Sequence, residues 1–465
     1  MRNSVARGSA ILTTALLVAA HSAPACQGTP TLRPRPQPDY ALRRARAFAR
    51  LGKSLLIIRS RTAPASFSDA RFDQDPNFFY FTGSERLLGA ILVLDGRSRR
   101  AELFLPGQWP RRLKPLVGDM RPATLSADSL HVDRVSDWNA FAPYVDGHVA
   151  ADPSVTIYVD AGAPPAGEVG TPLDTVATTN QQWHRLVRER WPNANVRGDA
   201  DMLHRLRAVK DSAELEILRR VAAASVAALR AGLARFGPGR HQRDVEAAVA
   251  ETCTRIGDGV SFWPWAMSGP NAAFPVPFTS VLDPHHLDRV MRAGEVARLD
   301  IGCAVDHYMG DVGRTVPVSG AFTPEQAEVV DLLAAAYRAG VATIRDGATT
   351  AAVIQASVNE VARRRPSLRS ALARQAAEII AQPGGIPFWQ LHGVGLDDAE
   401  MPPDTLAAGM VVDYEPIFVV AGQGLYMEDM ILVTAAGAEI LTKGLPTTAR
   451  EIERAMRPGL STAAR

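Results

Sequence analysis

Residues 296–318 read VARLDIGCAVDHYMGDVGRTVPV. Two apolar, strand-like runs flank a short polar turn. Each carries an aspartate beside glycine: Asp300 near Gly302, and Asp311 between Gly310 and Gly313. A turn at Val305-Asp306 makes Asp300 and Asp311 opposed residues of an antiparallel pair, with Cβ atoms only ~5 Å apart. Two carboxylates held that close are destabilising unless a cation sits between them. Residues 409–434, GMVVDYEPIFVVAGQGLYMEDMILVT, repeat the arrangement. With a turn at Ala421-Gly422, Glu415 and Glu428 become cross-strand partners.

One acidic pair on a hairpin is most simply a solvated face; two such pairs weaken that reading. Ile301, Val305, Val411, Val412, Ile417, Val419, Ile431 and Val433 require that a face of each hairpin be buried. Buried carboxylates need a proton, hydrogen bonds or a metal. A nitrogen donor stands in LHGVGLDDAE (391–400), where His392 precedes Gly393 and Gly395. Asp300, Asp311, His392, Glu415 and Glu428 form a hard, oxygen-rich set suited to Mn²⁺, Fe²⁺, Co²⁺ or Zn²⁺. Five donors are too many for one ordinary site and natural for two bridged ions. Two ions ~3.5–4 Å apart can hold a bridging hydroxide and polarise a carbonyl.

The rest of the chain frames these hairpins. Its 465 residues exceed what one core usually holds, which predicts two domains with short extras. Hydrophobic residues make up 46% and charged residues 22%, ordinary values for a globular enzyme. A net charge of +2 argues against a nucleic-acid partner, and no apolar run approaches the ~20 residues of a transmembrane span. Residues 1–25 have Arg2 and Arg7, an apolar stretch from Ala10 to Ala20, and Ala23-Pro24-Ala25, the order of a secretory signal peptide. Export to the periplasm or exterior is therefore expected. Cys26 follows the cleavage point and leaves a lipid-anchored form open, although Ala23-Pro24-Ala25 is a poor lipobox. Cys253 and Cys303 lie in apolar or mixed stretches and read as small buried hydrophobes rather than a disulfide or a nucleophile.

Residues 26–39 are a Pro-rich linker. A first domain is expected over 40–200, with β-rich runs at FFYFTG (78–83), AILVLD (90–95), AELFLP (101–106) and VTIYVDAG (155–162). A second is expected over 201–445. It opens with long helical periodicity from Met202 that closes on Gly237-Pro238-Gly239, followed by a helix at 243–257. Strands around 296–305 and 410–433 enclose helices from Pro324 and Ala351. A tail, 446–465, ends the chain.

The order Asp300, Asp311, His392, Glu415, Glu428 resembles the metal-ligand order of the M24 metallopeptidases, which include aminopeptidase P, prolidase and methionine aminopeptidase. LDIG and MGDVGRT are similar to the family's D-x-G and D-x-x-R-T segments, and HGVGLDDAE to H-x-x-G-L-x-x-H-E. VVDYEPIF and YMEDMILVT are similar to its V-E-P and R-I-E-D-x-x-x-V-T segments. QDPNFFYFTG (74–83) resembles the N-terminal domain of aminopeptidase P and prolidase, and LRAVKDSAELEILRRV the first helix of the catalytic domain.

The resemblance covers roughly 40–445. It implies an α/β (α+β) fold: a small mixed N-terminal domain followed by a pita-bread, creatinase/aminopeptidase-like catalytic domain. It also implies two divalent ions in the concavity, manganese first, with zinc, cobalt or iron as alternatives. Asp311 and Glu428 would bridge, Asp300 and Glu415 would each bind an ion, His392 would be the nitrogen ligand, and Glu415 would also be the general base. The implied substrate is a small Xaa-Pro peptide. Relatives that form dimers or tetramers leave a homo-oligomer open.

The chain departs from the pattern around the substrate. Val276 and Ala399 stand where the family usually has two non-ligand histidines, Tyr426 replaces the arginine two before the last glutamate, and Gly313 replaces a frequent threonine. Losing one oxyanion-type donor commonly costs ~10²–10³ in rate. Three readings follow: a peptidase with donors supplied elsewhere, for example His285-His286; a metalloenzyme acting on another bond; or a metal-bound binding module. Phe262, Trp263, Trp265 and Trp389 serve equally as pocket walls or as core aromatics. No substrate-binding residue is assigned.

Overall fold

The alternation in AILVLD and AELFLP builds a sheet covered on both faces. The computed structural model describes residues 38–62, 74–108, 122, 124–161, 179–198, 200–273, 288–381, 388–401 and 403–457. The leader, most of the linker, Val276, His285, His286 and residues 458–465 lie outside the described residues.

The first six strands are β1 (Leu55–Arg59), β2 (Ile91–Asp95), β3 (Arg100–Leu105), β4 (Arg134–Asp137), β5 (Thr156–Val159) and β6 (Asn195–Gly198), in the order β4-β3-β2-β1-β5-β6. Antiparallel β1–β2–β3 pairing forms the middle, with parallel β3–β4, β1–β5 and β5–β6 contacts outside it. The period of two divides the side chains. Leu56, Ile58, Leu92, Leu94 and Leu103 enter the same core as the helix Ser212–Leu233. Leu55, Ile57, Val93 and Phe104 pack on Phe141, Val145 and Trp191.

FFYFTG is a helix rather than a strand, spanning Pro76–Thr82. Local capping overrides the β-preference of its aromatics. Asp75 accepts from the Phe78 amide at 2.9 Å, Pro76 occupies the first turn, and Gly83 closes the helix in the left-handed region. The periodicity from Met202 is interrupted, giving helices Ala200–Ala208 and Ser212–Leu233. Asp211 starts the second of these with a capping box, its carboxylate accepting from Glu214 N and Glu214 returning a contact to Asp211 N, both 2.9 Å. Arg43, from the helix Tyr40–Leu51, is 1% exposed and reaches Asp211 at 2.9 Å and Glu214 at 3.2 Å, tying the first region to the second.

Strands β7 (Gly259–Val260), β8 (Trp265–Ser268), β9 (Val296–Ile301), β10 (Cys303–Ala304), β11 (Val312–Pro317), β12 (Phe388–Gly393), β13 (Val411–Val420), β14 (Gln423–Val433) and β15 (Ala438–Ile440) follow. β10 pairs with β7, and the others form one curved sheet, β12-β13-β14-β11-β9-β8, with β15 added to β14. Helices pack on the face that carries Tyr414, whose hydroxyl lies 2.6 Å from Ser357 Oγ and whose ring touches Gly340. By alternation, Glu415 points to the other, concave face.

Cys253 and Cys303 form a disulfide, with Cα atoms 5.1 Å apart. This corrects the reading of both as unpaired hydrophobes. Both are fully buried, as expected, but the helix Gln242–Ile256 packs on β7, the strand paired with β10, and so brings together thiols fifty residues apart.

Candidate metal centre

The two hairpins set the site through their turns. In β13–β14, Ala421 and Gly422 have φ of 49° and 74°, the paired left-handed turn that continues the strand twist. Register pairs Tyr414↔Asp429 and Ile417↔Tyr426 place Glu415 opposite Glu428, as the sequence predicts. The other hairpin turns one residue later than expected. Asp306 and His307 take φ of 50° and 69°, and Val305 and Tyr308 exchange both backbone hydrogen bonds. Asp and His tolerate the left-handed region, whereas β-branched Val305 resists it. The register therefore pairs Asp300 with Gly313 and leaves Asp311 diagonal to Asp300, not opposed.

Gly313 also pairs with Glu428, so Glu428, Gly313 and Asp300 form one row across three strands. On β12, His392 pairs with Asp413 and Gln390 with Glu415. Sheet curvature then brings distant strands together. His392 Nε2 lies 3.4 Å from Glu415 Oε1 and 3.9 Å from Asp311 Oδ2. Asp311, His392 and Glu428 each present a ligand atom within 4.8 Å of the others. His392 Nδ1 is 3.0 Å from Gly393 O. Donation there leaves Nε2 as the free lone pair of the neutral ring, the tautomer a metal requires.

The electrostatics are those of a crowded anionic cavity. Burial, with the charge of Glu415 adding to it, pushes the Asp300 carboxyl up to about 7 against Arg298, Tyr426 and His392. Asp311 and Glu428 rise well above the ordinary range, first from burial and then from each other's neighbourhood of acids. Burial opposes charging of His392, but a hydrogen bond to Glu415 and the charge of Asp413 carry it up to about 9. Asp311 Oδ1 and Glu428 Oε1 are buried and receive no hydrogen bond among the described residues. Orphaned oxygens converging on an imidazole nitrogen fit a divalent cation in donor type and count.

Tyr426 and Gly313 are a matched pair. The Tyr426 hydroxyl donates to Glu428 Oε2 and also reaches Asp300. A Cβ on Gly313 would fall 1.8 Å from the Tyr426 ring, so the ring fills the space of the side chain that Gly313 lacks. Arg298 lies with its guanidinium 5.5 Å from that ring's centre and faces Asp300 and Glu415.

On the helical side, Asp429 binds Arg314 at 2.9 and 3.0 Å, Tyr337 Oη at 2.7 Å and Thr442 Oγ1 at 2.6 Å, which fixes β11 and β14 under Glu428. The His392 loop is anchored by Glu400, which takes Arg207 and Lys210 at 2.7 Å each. A Cβ at Gly395 would meet Glu400 at 2.6 Å, which explains that glycine after His392.

Ala399 is exposed and offers no donor, while Trp263 is 64% exposed and is not a core aromatic. Trp265 pairs with Asp300 and is half-buried, as is Phe262. Asp413 and Arg298, two residues before Glu415 and Asp300, were not singled out in the sequence. Their signal was the period of two, which puts them on the ligand face.

The family model "Metallopeptidase family M24" matches residues 216–435, and "Aminopeptidase P, N-terminal domain" matches residues 40–158. An Xaa-Pro aminopeptidase of Escherichia coli is 26% identical over 279 residues, 55% of this chain and 60% of the relative. An Xaa-Pro dipeptidase of Pyrococcus furiosus is 28% identical over 254 residues, 52% of this chain and 65% of the relative. Those two alignments thus span somewhat less than two thirds of the relatives' length. A solved structure, proline aminopeptidase P II from Yersinia pestis, superposes with a TM-score of 0.70 at 22% identity, covering 90% of this chain and 98% of that one.

Proposed function

Since the chain belongs to metallopeptidase family M24 and carries an aminopeptidase P N-terminal domain, we propose that it is an exported dinuclear aminopeptidase acting on Xaa-Pro peptides or dipeptides. The observation that carries this reading is the convergence of Asp311, His392 and Glu428 within 4.8 Å, with Asp300 and Glu415 on the same concave face. Two divalent ions, manganese before zinc, cobalt or iron, would supply Lewis acidity and acidify a bound water. Asp300, Asp311, His392, Glu415 and Glu428 would hold them.

The chain's own groups do the rest. In this reading Glu415 takes the proton of the attacking water and passes it to the leaving amine. The hydrogen bond to Gly393 O keeps His392 Nε2 aimed inward. Tyr426 Oη holds one oxygen of Glu428, leaving the orphaned one for coordination. The disulfide Cys253–Cys303 supports export, because such bonds persist in oxidising compartments.

A second reading, a metal-dependent hydrolase of a non-peptide substrate, is favoured by one feature: Ala399 and Tyr426 stand where the resemblance leads one to expect a histidine and an arginine. A panel of Xaa-Pro peptides assayed with Mn²⁺, Co²⁺ and Zn²⁺ separates the two. Release of the N-terminal residue supports the peptidase. No cleavage by protein that demonstrably holds metal rejects it in favour of another bond or a binding role.

A further inference from the structure

Alternation along β13 puts Asp413 on the same face as Glu415, and its partner across β12 is His392. The side chain is fully buried, at 0% exposure. Among the described residues, neither of its oxygens receives a hydrogen bond. Its polar neighbours are mostly the centre itself, with Glu428 within hydrogen-bonding reach, His392 and Glu415 beside it and Asp311 feeling its charge; Asp429 and Tyr337 on the helical side feel it too and give it no hydrogen bond. His392 cannot serve as its donor, because Nδ1 is committed to Gly393 O and Nε2 faces Glu415.

An ionised carboxylate buried with no donor is strongly disfavoured. A proton shared with Glu428 would satisfy one oxygen of each group. It would leave the second Asp413 oxygen and Asp311 Oδ1 still orphaned. A cation held by Asp311, His392 and Glu428 would satisfy Asp311 Oδ1 and put a positive charge beside Asp413.

We propose that Asp413 is a sixth protein ligand of the centre, binding the ion shared by Asp311, His392 and Glu428. The inference rests on the metal-centre reading above. A fifth carboxylate makes the donor set harder and richer in oxygen. That favours a six-coordinate, oxygen-preferring ion such as Mn²⁺ over tetrahedral Zn²⁺.

The test is Mn²⁺ titration by calorimetry on the full chain stripped with a chelator, wild type against Asp413→Asn. Thermal melts of both proteins are run in the stripped state. Asn keeps the shape and removes the charge. The expected result is about two ions on the wild type, and affinity for one of them at least about tenfold weaker in Asp413→Asn. Stripped Asp413→Asn should melt no lower than stripped wild type, so that a weaker Mn²⁺ affinity reads as a lost ligand and not as a damaged fold. Equal stoichiometry and equal affinity in the two proteins overturn the assignment while leaving the metal centre intact. A wild type that binds no ion overturns the centre, and the assignment with it. Should Asp413→Asn not purify, Asp413→Ser removes the same charge and is read the same way. Co²⁺ absorption adds a check independent of turnover: a band that strengthens in the variant marks a lost ligand, and an identical spectrum counts against the proposal.

Discussion

Opening the Cys253–Cys303 bond should destabilise the protein by an amount that the chain itself sets. The bond closes a loop of fifty residues. Loop-closure entropy for that length gives about 4 kcal/mol at 25 °C. For a large domain, at roughly 2–4 °C per kcal/mol, the melting temperature should fall by roughly 8–16 °C. Both sulfurs are fully buried, so reduction requires unfolding in denaturant followed by refolding with reductant. Cys253→Ala/Cys303→Ala gives the same comparison without reductant. Alkylation of unfolded protein, read by intact mass, establishes the starting state: Cys253 and Cys303 should be protected in material secreted to the periplasm and should label only after reduction. Free thiols at both positions in secreted protein, or reduced and oxidised forms that melt together, would refute the reasoning. They would also remove the structural support for export.

Metal affinity should rise with pH up to neutrality. Asp300 is raised to about 7, and burial also lifts Asp311 and Glu428 well above the ordinary carboxylate range, so the empty site holds protons that ions must displace. The same shift makes the stripped fold lose stability between about pH 4 and 7, because there the folded state binds more protons than the unfolded one. The gap between metal-loaded and stripped melting temperatures should widen from pH 5 to 7.5, and a narrowing gap contradicts the account. Glu400 has the opposite sign. Buried but held by Lys210 and Arg207, its carboxyl is lowered to about 2, so its contribution is complete above about pH 4.5 and vanishes as pH falls through 2. Glu400→Gln leaves two buried cations short of a partner and should cost about 3–5 kcal/mol in a urea titration at pH 7. Gly313→Ala drives a methyl into Tyr426 and should cost about 1–3 kcal/mol. Combined with Tyr426→Ala it should cost less than the sum of the single changes, as a double-mutant cycle would read.

The site was legible because its logic is periodic. Two hairpins with acids at matched positions give a ligand face from the strand period alone, and β13–β14 pairs in the register expected. The other hairpin slipped by one residue because the turn was set by which side chains tolerate positive φ, Asp306 and His307, rather than by symmetry around the acids. Asp413 and Arg298 were on the same period yet went unread, since nothing in a linear pattern shows which buried charges lack partners. The aromatic run Phe78–Phe81 misled for a related reason. Its preference is for strand, and only the caps at Asp75 and Gly83 declare a helix. The disulfide was invisible because packing of a helix on β7, the partner of β10, and not spacing, brings the thiols together.

The most direct test of the account is metal content by mass spectrometry of purified protein, wild type beside Asp311→Asn and Glu428→Gln. The account predicts about two divalent ions per wild-type chain and loss of one or both in each variant. A wild type that retains no metal and cannot be reloaded, or variants that hold as much as the wild type, would contradict it.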